Sequence, residues 1–129
     1  MVCLETTFLV DVLRGEPKVK EIIASLRSKE SLFIASPTVM ELWSGALLAK
    51  IPQREKEKID VLLDSLVTLS LDEKAAKEAA EIEVSLLKKG GMIDIEDIMI
   101  AAISVVNGEK LISRDQHYAR IANLRLEKY

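Results

Sequence analysis

Five short apolar runs punctuate the chain: Val2 to Leu4, Leu32 to Ala35, Leu66 to Leu71, Lys110 to Ser113 and Leu124 to Leu126. Each has the length of a strand, and segments of helical spacing lie between them. Hairpin partners need only a two-residue turn, whereas parallel neighbours need a long crossover, commonly a helix. The alternation therefore predicts an α/β fold. The expected form is a three-layer α/β/α arrangement with a central, mainly parallel sheet of about five strands, covered on both faces.

The intervening segments carry their own start and stop signals. Thr7 is placed to cap a short helix ended by Gly15 and Pro17, and Val19, Ile22, Ile23 and Leu26 recur at helical spacing in the next. Ser36 followed by Pro37 reads as N-cap and first helical residue of a helix reaching about Lys50. The charged stretch QREKEKIDVLLDSL forms a further amphipathic helix. Asp72 opens the long segment DEKAAKEAAEIEVSLLKKGG, acidic at its start, basic at its end and stopped by Gly90. Asp94 opens DIEDIMIAAISVVNG, which is apolar almost all round and is expected to be buried.

Composition narrows the classes of function. The 129 residues suit one domain, residues 1–129, with 49% hydrophobic and 30% charged residues and no disordered composition. A net charge of −3 is not that of a nonspecific nucleic-acid coater. The single Cys3 excludes an internal disulfide framework and fits a buried thiol in a reducing compartment. No window approaches the ~18 uninterrupted apolar residues of a membrane span, and no basic segment precedes a long apolar one. The expected location is cytoplasmic.

In an open parallel sheet, ligands bind outside the carboxyl ends of the strands, where the strand order reverses. Glu5 follows the first strand and Asp115 follows LIS. Glu41 lies in the second turn of the helix that leaves LFIA, and Asp97 in the first turn of the helix opened by Asp94. Four acids from four distant segments could therefore meet at one edge. Each also has a simpler reading: Glu5 as a strand-end acid, Glu41 as a solvated helix residue, Asp97 as a capping-box partner of Asp94, Asp115 as a cap for the turn anchored by Tyr118 and Ile121. If they do meet, their mutual repulsion calls for a cation. Oxygen ligands without Cys or His point to Mg2+ or Mn2+ rather than zinc, and such an ion acts on phosphodiesters.

The motifs LETTFLVDVLRG, ELWSGA, DIEDIMIAA and LISRDQHYARI, in that order over nearly the whole chain, resemble those of PIN-domain ribonucleases, specifically the VapC-like toxins of toxin-antitoxin pairs. The resemblance implies a PIN-like α/β/α domain, often a homodimer. It also implies an Mg2+ or Mn2+ site, cleavage of single-stranded RNA, and a cognate antitoxin that blocks the toxin. By position, Glu5, Glu41, Asp97 and Asp115 take the places of the four metal-holding acids, and Ser113 takes that of a hydroxyl residue beside the site.

Two departures distinguish the chain from that pattern. The first acid is Glu5 where relatives carry Asp, one methylene longer, and His117 stands two residues after the last acid, where relatives often have a further carboxylate. A second reading follows, in which Glu5 has spoiled metal binding and the chain is a PIN-like interaction protein. A receiver-like phosphoacceptor domain, a third reading, lacks its acidic pair after the first strand. Arg14 and Arg114 could hold phosphate, but read more simply as surface charge. Lys18, Lys20, Arg27, Lys50 and Arg54 are candidate RNA-backbone contacts. Trp43 and its apolar neighbours suit either the core or an interface of a homodimer or antitoxin.

Overall fold

The computed structural model describes residues 1–129. Strands β1 (Val2–Leu4), β2 (Leu32–Ala35), β3 (Val67–Leu69), β4 (Lys110–Ile112) and β5 (Arg125–Glu127) form one five-stranded sheet, with helices α1 (Thr6–Leu13), α2 (Pro17–Lys29), α3 (Ser36–Leu47), α4 (Pro52–Asp64), α5 (Glu73–Lys89) and α6 (Ile95–Val106) between them. A 3-10 turn, Gln116–Arg120, follows β4. The strand order is β3-β2-β1-β4-β5 and every pairing is parallel. This is the expected three-layer α/β/α fold.

Successive strand residues point to opposite faces, so each central strand serves two cores. Cys3, Phe33, Ala35 and Leu111 join α5, α6 and Tyr118 on one face. Val2, Leu4, Leu32, Ile34 and Ile112 join Phe8 and Leu9 of α1, Val19 and Ile23 of α2, Leu42 and Ala46 of α3, and Ile59 and Leu62 of α4 on the other. Helix α6 is buried from Ile100 to Ser104, as its all-round apolarity predicts. No helix is long and apolar enough to cross a membrane.

Several boundaries differ from expectation for identifiable reasons. Glu5, not Thr7, caps α1: its Oε2 accepts from the Thr7 amide at 2.9 Å. The chain turns from strand into helix without a linker, so the strand-end acid is also the cap. Likewise Ser36 is already helical, the N-cap is Ala35 without a side-chain bond, and Pro37, which has no N–H to satisfy, suits that first turn. Helix α3 stops at Leu47, short of Lys50. The third strand contracts to Val67–Leu69 at the sheet edge, and the fifth is shifted to Arg125–Glu127. Asp72 caps α5 through the Ala75 amide, and Gly90 ends it in the left-handed conformation at φ 70°, both as expected.

The strand order reverses between β1 and β4, which are adjacent although α1 to α6 separate them in sequence. Residues immediately beyond these two strands, Glu5 and Ser113, therefore sit side by side at the carboxyl edge.

Candidate active site

Glu5 is the centre of this edge. It is only 2% exposed, yet both its oxygens have partners. Oε2 accepts from the Thr7 amide at 2.9 Å, from the Thr7 hydroxyl at 2.5 Å and from the Ser113 hydroxyl at 2.8 Å. Oε1 lies 3.3 Å from the Tyr118 hydroxyl. Three donors hold Oε2 and the single Tyr118 proton is shared between Oε1 and Asp97, so the buried carboxylate has partners without a cation, which is how such a group escapes an unpaired burial penalty.

The other three acids surround it. The Tyr118 hydroxyl also reaches Asp97 Oδ1 at 3.0 Å, so it spans the first and third acids. The Thr6 hydroxyl donates to Glu41 Oε1 at 2.8 Å and lies 3.2 Å from the Thr38 hydroxyl. The Asp115 amide donates to Ser113 Oγ at 3.0 Å, and Asp115 Oδ1 accepts from the His117 amide at 2.9 Å, with His117 Nδ1 3.1 Å away. Asp115 therefore caps its turn as the simpler reading had it, and still faces the cluster. Asp97 does not act as a capping-box partner: Asp94 makes no side-chain cap bond, and the Asp97 carboxyl goes to Tyr118.

The acids act on one another's ionisation. Desolvation pushes Asp97 up from 3.8 to about 6, its bond from Tyr118 opposes this, and the charges of Glu5, Asp115 and Glu41 add to it. Desolvation also raises Glu41, against the Thr6 bond and with the charges of Glu5, Glu96 and Asp94. Burial, followed by the charges of Glu5 and Asp97, drives the Tyr118 hydroxyl far above its ordinary range, so it stays protonated as a donor. No Lys or Arg forms an ion pair with Glu5, Glu41 or Asp97, and Asp115 has only His117. The repulsion is left uncompensated by the protein.

Three oxygens remain open. Glu41, Asp97 and Asp115 each receive their bonds on one oxygen only, so Oε2 of Glu41 and Oδ2 of Asp97 and Asp115 have no protein donor. No fully buried side-chain oxygen lacks a partner, so these three meet solvent. No three His, Cys, Asp or Glu side chains stand close enough together to form a ready-made metal site. The donor set nonetheless fits a hard divalent cation: all oxygen, mutually repelling and solvent-facing.

Thr6, Thr7, Thr38, Tyr118 and Glu96 were missing from the sequence-based set. The doublet after Glu5 and a Tyr three residues after Asp115 were the available signals, but their hydroxyl partners lie on distant segments. Arg114, flanked by Ser113 and Asp115, turns away from the acids and pairs with Asp11 at 3.0 Å.

Residues 2–124 match the PIN domain. The chain belongs to the PIN-domain family. Among curated relatives, this PIN domain is 30% identical over 128 residues to "Ribonuclease VapC2" of Haemophilus influenzae, covering 98% of this chain and 96% of that protein. It is 26% identical to the "tRNA(fMet)-specific endonuclease VapC" of Shigella flexneri, over 98% and 96% of the two chains. Among solved structures, DNA-bound VapBC from Salmonella typhimurium superposes with a TM-score of 0.91 at 26% identity, covering 98% of this chain and 96% of that one.

The raised Asp97 predicts a pH dependence. The folded state holds the Asp97 proton more tightly than the unfolded chain, so the metal-free domain loses stability as pH rises from about 3.8 to about 6. Asp97 is half-exposed, and after solvent screening the loss is on the order of 1 kcal/mol, or ~3 °C. Melting curves in EDTA should therefore show Asp97→Asn more stable than the parent at pH 7 and level with it near pH 4. Equal melting temperatures at pH 7 would show that neither burial nor the neighbouring acids oppose the ionised Asp97.

Proposed function

We propose that the chain is an Mg2+- or Mn2+-dependent endoribonuclease that cleaves single-stranded RNA, the toxin of a toxin-antitoxin pair. One observation carries this reading: Glu41, Asp97 and Asp115 each keep a solvent-facing carboxylate oxygen at the carboxyl edge that the fully bonded Glu5 occupies, with no Lys or Arg paired to them. The names of the Haemophilus and Shigella relatives agree with it.

Glu41, Asp97 and Asp115 would hold the ion through their open oxygens, with Glu5 adding its charge from behind. A hard divalent cation held there supplies positive charge that polarises a phosphodiester and favours deprotonation of the attacking water. The protein's own groups fix the acids in place. Ser113 and Thr7 anchor Glu5, Tyr118 orients Asp97 and Thr6 orients Glu41, so each negative charge is set before substrate arrives. In the net reaction water adds at phosphorus and one bridging P–O bond breaks, leaving a phosphate end and a hydroxyl end.

The longer Glu5 does not favour the interaction-protein alternative. Its extra methylene carries the carboxylate to four donors, and the three open oxygens belong to other residues. The test is cleavage of a labelled single-stranded RNA pool with Mn2+ and with excess EDTA. Cutting only with metal supports the reading, and a folded chain that cuts under neither condition overturns it.

The partners proposed are a cognate antitoxin and a second copy of the chain. Helix α3 turns Met40 and Leu47 outward, 58% and 53% exposed, beside Val39 and a half-buried Trp43 stacked under Lys56 at 5.8 Å. So much apolar surface on one helix suits a homodimer interface. Trp43→Ala should lower the mass seen by light scattering from dimer towards monomer. An unchanged mass removes this helix from the interface.

A further inference from the structure

Beside the acids lies a second charged constellation that the proposed chemistry does not use. Arg114 Nε donates to Asp11 Oδ2 at 3.0 Å, and the Tyr129 hydroxyl donates to the same oxygen at 2.7 Å. The Tyr129 ring stands edge-on against the buried Phe8, centroids 5.1 Å apart, which fixes it on α1. Asp11 itself is 9% exposed. Burial would raise it, but the bonds from Tyr129 and Arg114 and the charges of Arg114 and Arg14 together hold it below its ordinary range. It is a fixed, ionised brace.

We propose that Arg114, braced by Asp11 and Tyr129 and joined by Arg14, is a seat for a backbone phosphate of the RNA next to the one being cleaved. The inference rests on the nuclease reading and adds to it where the strand runs. Position comes first: Arg114 is one residue from Ser113, which holds Glu5, and one from Asp115. A phosphate on its guanidinium would therefore lie within a nucleotide or two of the acids. Orientation comes second: Arg114 pairs with none of the four acids, and its side chain is 53% exposed. A guanidinium has five N–H donors in a planar fork, and the bond to Asp11 takes one, leaving an outward edge suited to two phosphate oxygens. Charge comes third: Asp11 is the one acid paired with Arg114, and Arg14, at the end of α1, adds a second guanidinium nearby. Arg14 lines a cavity of about 490 Å³ together with Lys58, Glu41 and Glu55, so the seat continues toward Glu41. A polyanion threading towards four carboxylates needs such a counterweight.

Steady-state cleavage of a labelled single-stranded RNA in Mn2+, at several salt concentrations, tests this. Arg114→Ala should raise KM about tenfold with kcat within about twofold, and reduce the slope of log kcat/KM against log salt by about 1. Arg114→Lys should restore the slope but only part of KM, because the fork is lost. Asp11→Asn is the sharper variant. Removing a negative charge would lower KM if only net charge mattered, whereas loss of the brace raises it. Lys29→Ala, exposed at the end of α2 where the chain enters the start of β2 and so on the amino edge of the sheet, is the control. If Arg114→Ala behaves like the control, or Asp11→Asn lowers KM, the seat is overturned while the nuclease reading stands. If the parent cleaves nothing, both fall.

Discussion

Asp97→Asn should abolish cleavage and metal binding together while leaving the fold intact. The side chains have the same shape, and the amide oxygen can still accept the bond that Tyr118 now gives to Asp97 Oδ1. What changes is the open oxygen, which becomes an N–H donor that repels a cation, and the loss of one negative charge. Loss of groups that merely orient a ligand costs about 10–100-fold in metal affinity or activity, so loss of the ligand atom should exceed about 100-fold in both. Calorimetric titration of Mn2+ beside cleavage of the same RNA pool gives both numbers. If the variant binds Mn2+ as the parent does, Asp97 is not a ligand. If it fails to bind yet cleaves normally, the hydrolysis does not depend on this ion.

The variant's opposite effects in two conditions sharpen that expectation. Without metal it should be the more stable protein at pH 7, because burial, and after it the charges of Glu5, Asp115 and Glu41, oppose the ionised Asp97. With saturating Mn2+ the parent should be the more stable, because an ion that binds only the folded state adds stability by mass action. A purely structural Asp97 would not reverse the order.

The fold was largely readable from the chain because its signals are local. Runs of three or four apolar residues, separated by helical spacing, admit few arrangements besides a covered parallel sheet, and α6 declared its burial by having no polar face. The ends of elements were less legible. Glu5 and Thr7 are both acceptable caps by residue type, and only the direct passage from β1 into α1 decides for Glu5. Ser36 looked like a cap, but β2 feeds α3 without a spare residue, so Ala35 occupies that place.

The site divides along the same line. All four acids could be assigned to one edge because Glu5 and Asp115 come just past strands and Glu41 and Asp97 lie in the first two turns of helices that start there. Their hydroxyl partners could not, since pairing Glu5 with Ser113 and Tyr118 depends on β4 lying against β1, a contact spanning most of the chain. Tyr118 read as an anchor for its turn, which it is: the ring is fully buried in the α5–α6 core. Its hydroxyl has a second role that no spacing rule reports.

That second role sets the expectation for Tyr118→Phe. The ring volume is unchanged, so the core should keep its packing, and the hydroxyl removed is one that has only carboxylates for partners, at 3.0 Å from Asp97 and 3.3 Å from Glu5. Its loss leaves Glu5 Oε1 buried without a donor and leaves Asp97 free to rotate its open oxygen away from Glu41 and Asp115. The first effect destabilises the metal-free fold by about 1–3 kcal/mol, the cost of an unsatisfied buried acceptor. The second should weaken Mn2+ binding about 10–100-fold, the range for partners that orient a metal ligand. The two are separable, because calorimetry at 25 °C on a still-folded variant reads affinity and thermal melting reads stability. Weak binding that Mn2+ at high concentration restores, with cleavage recovering in step, identifies the hydroxyl as the group that aims Asp97. A lower melting temperature with unchanged affinity would confine Tyr118 to the core. Tighter binding would show that the hydroxyl competes with the ion for the same carboxylates, so that the phenol opposes metal binding rather than preparing for it.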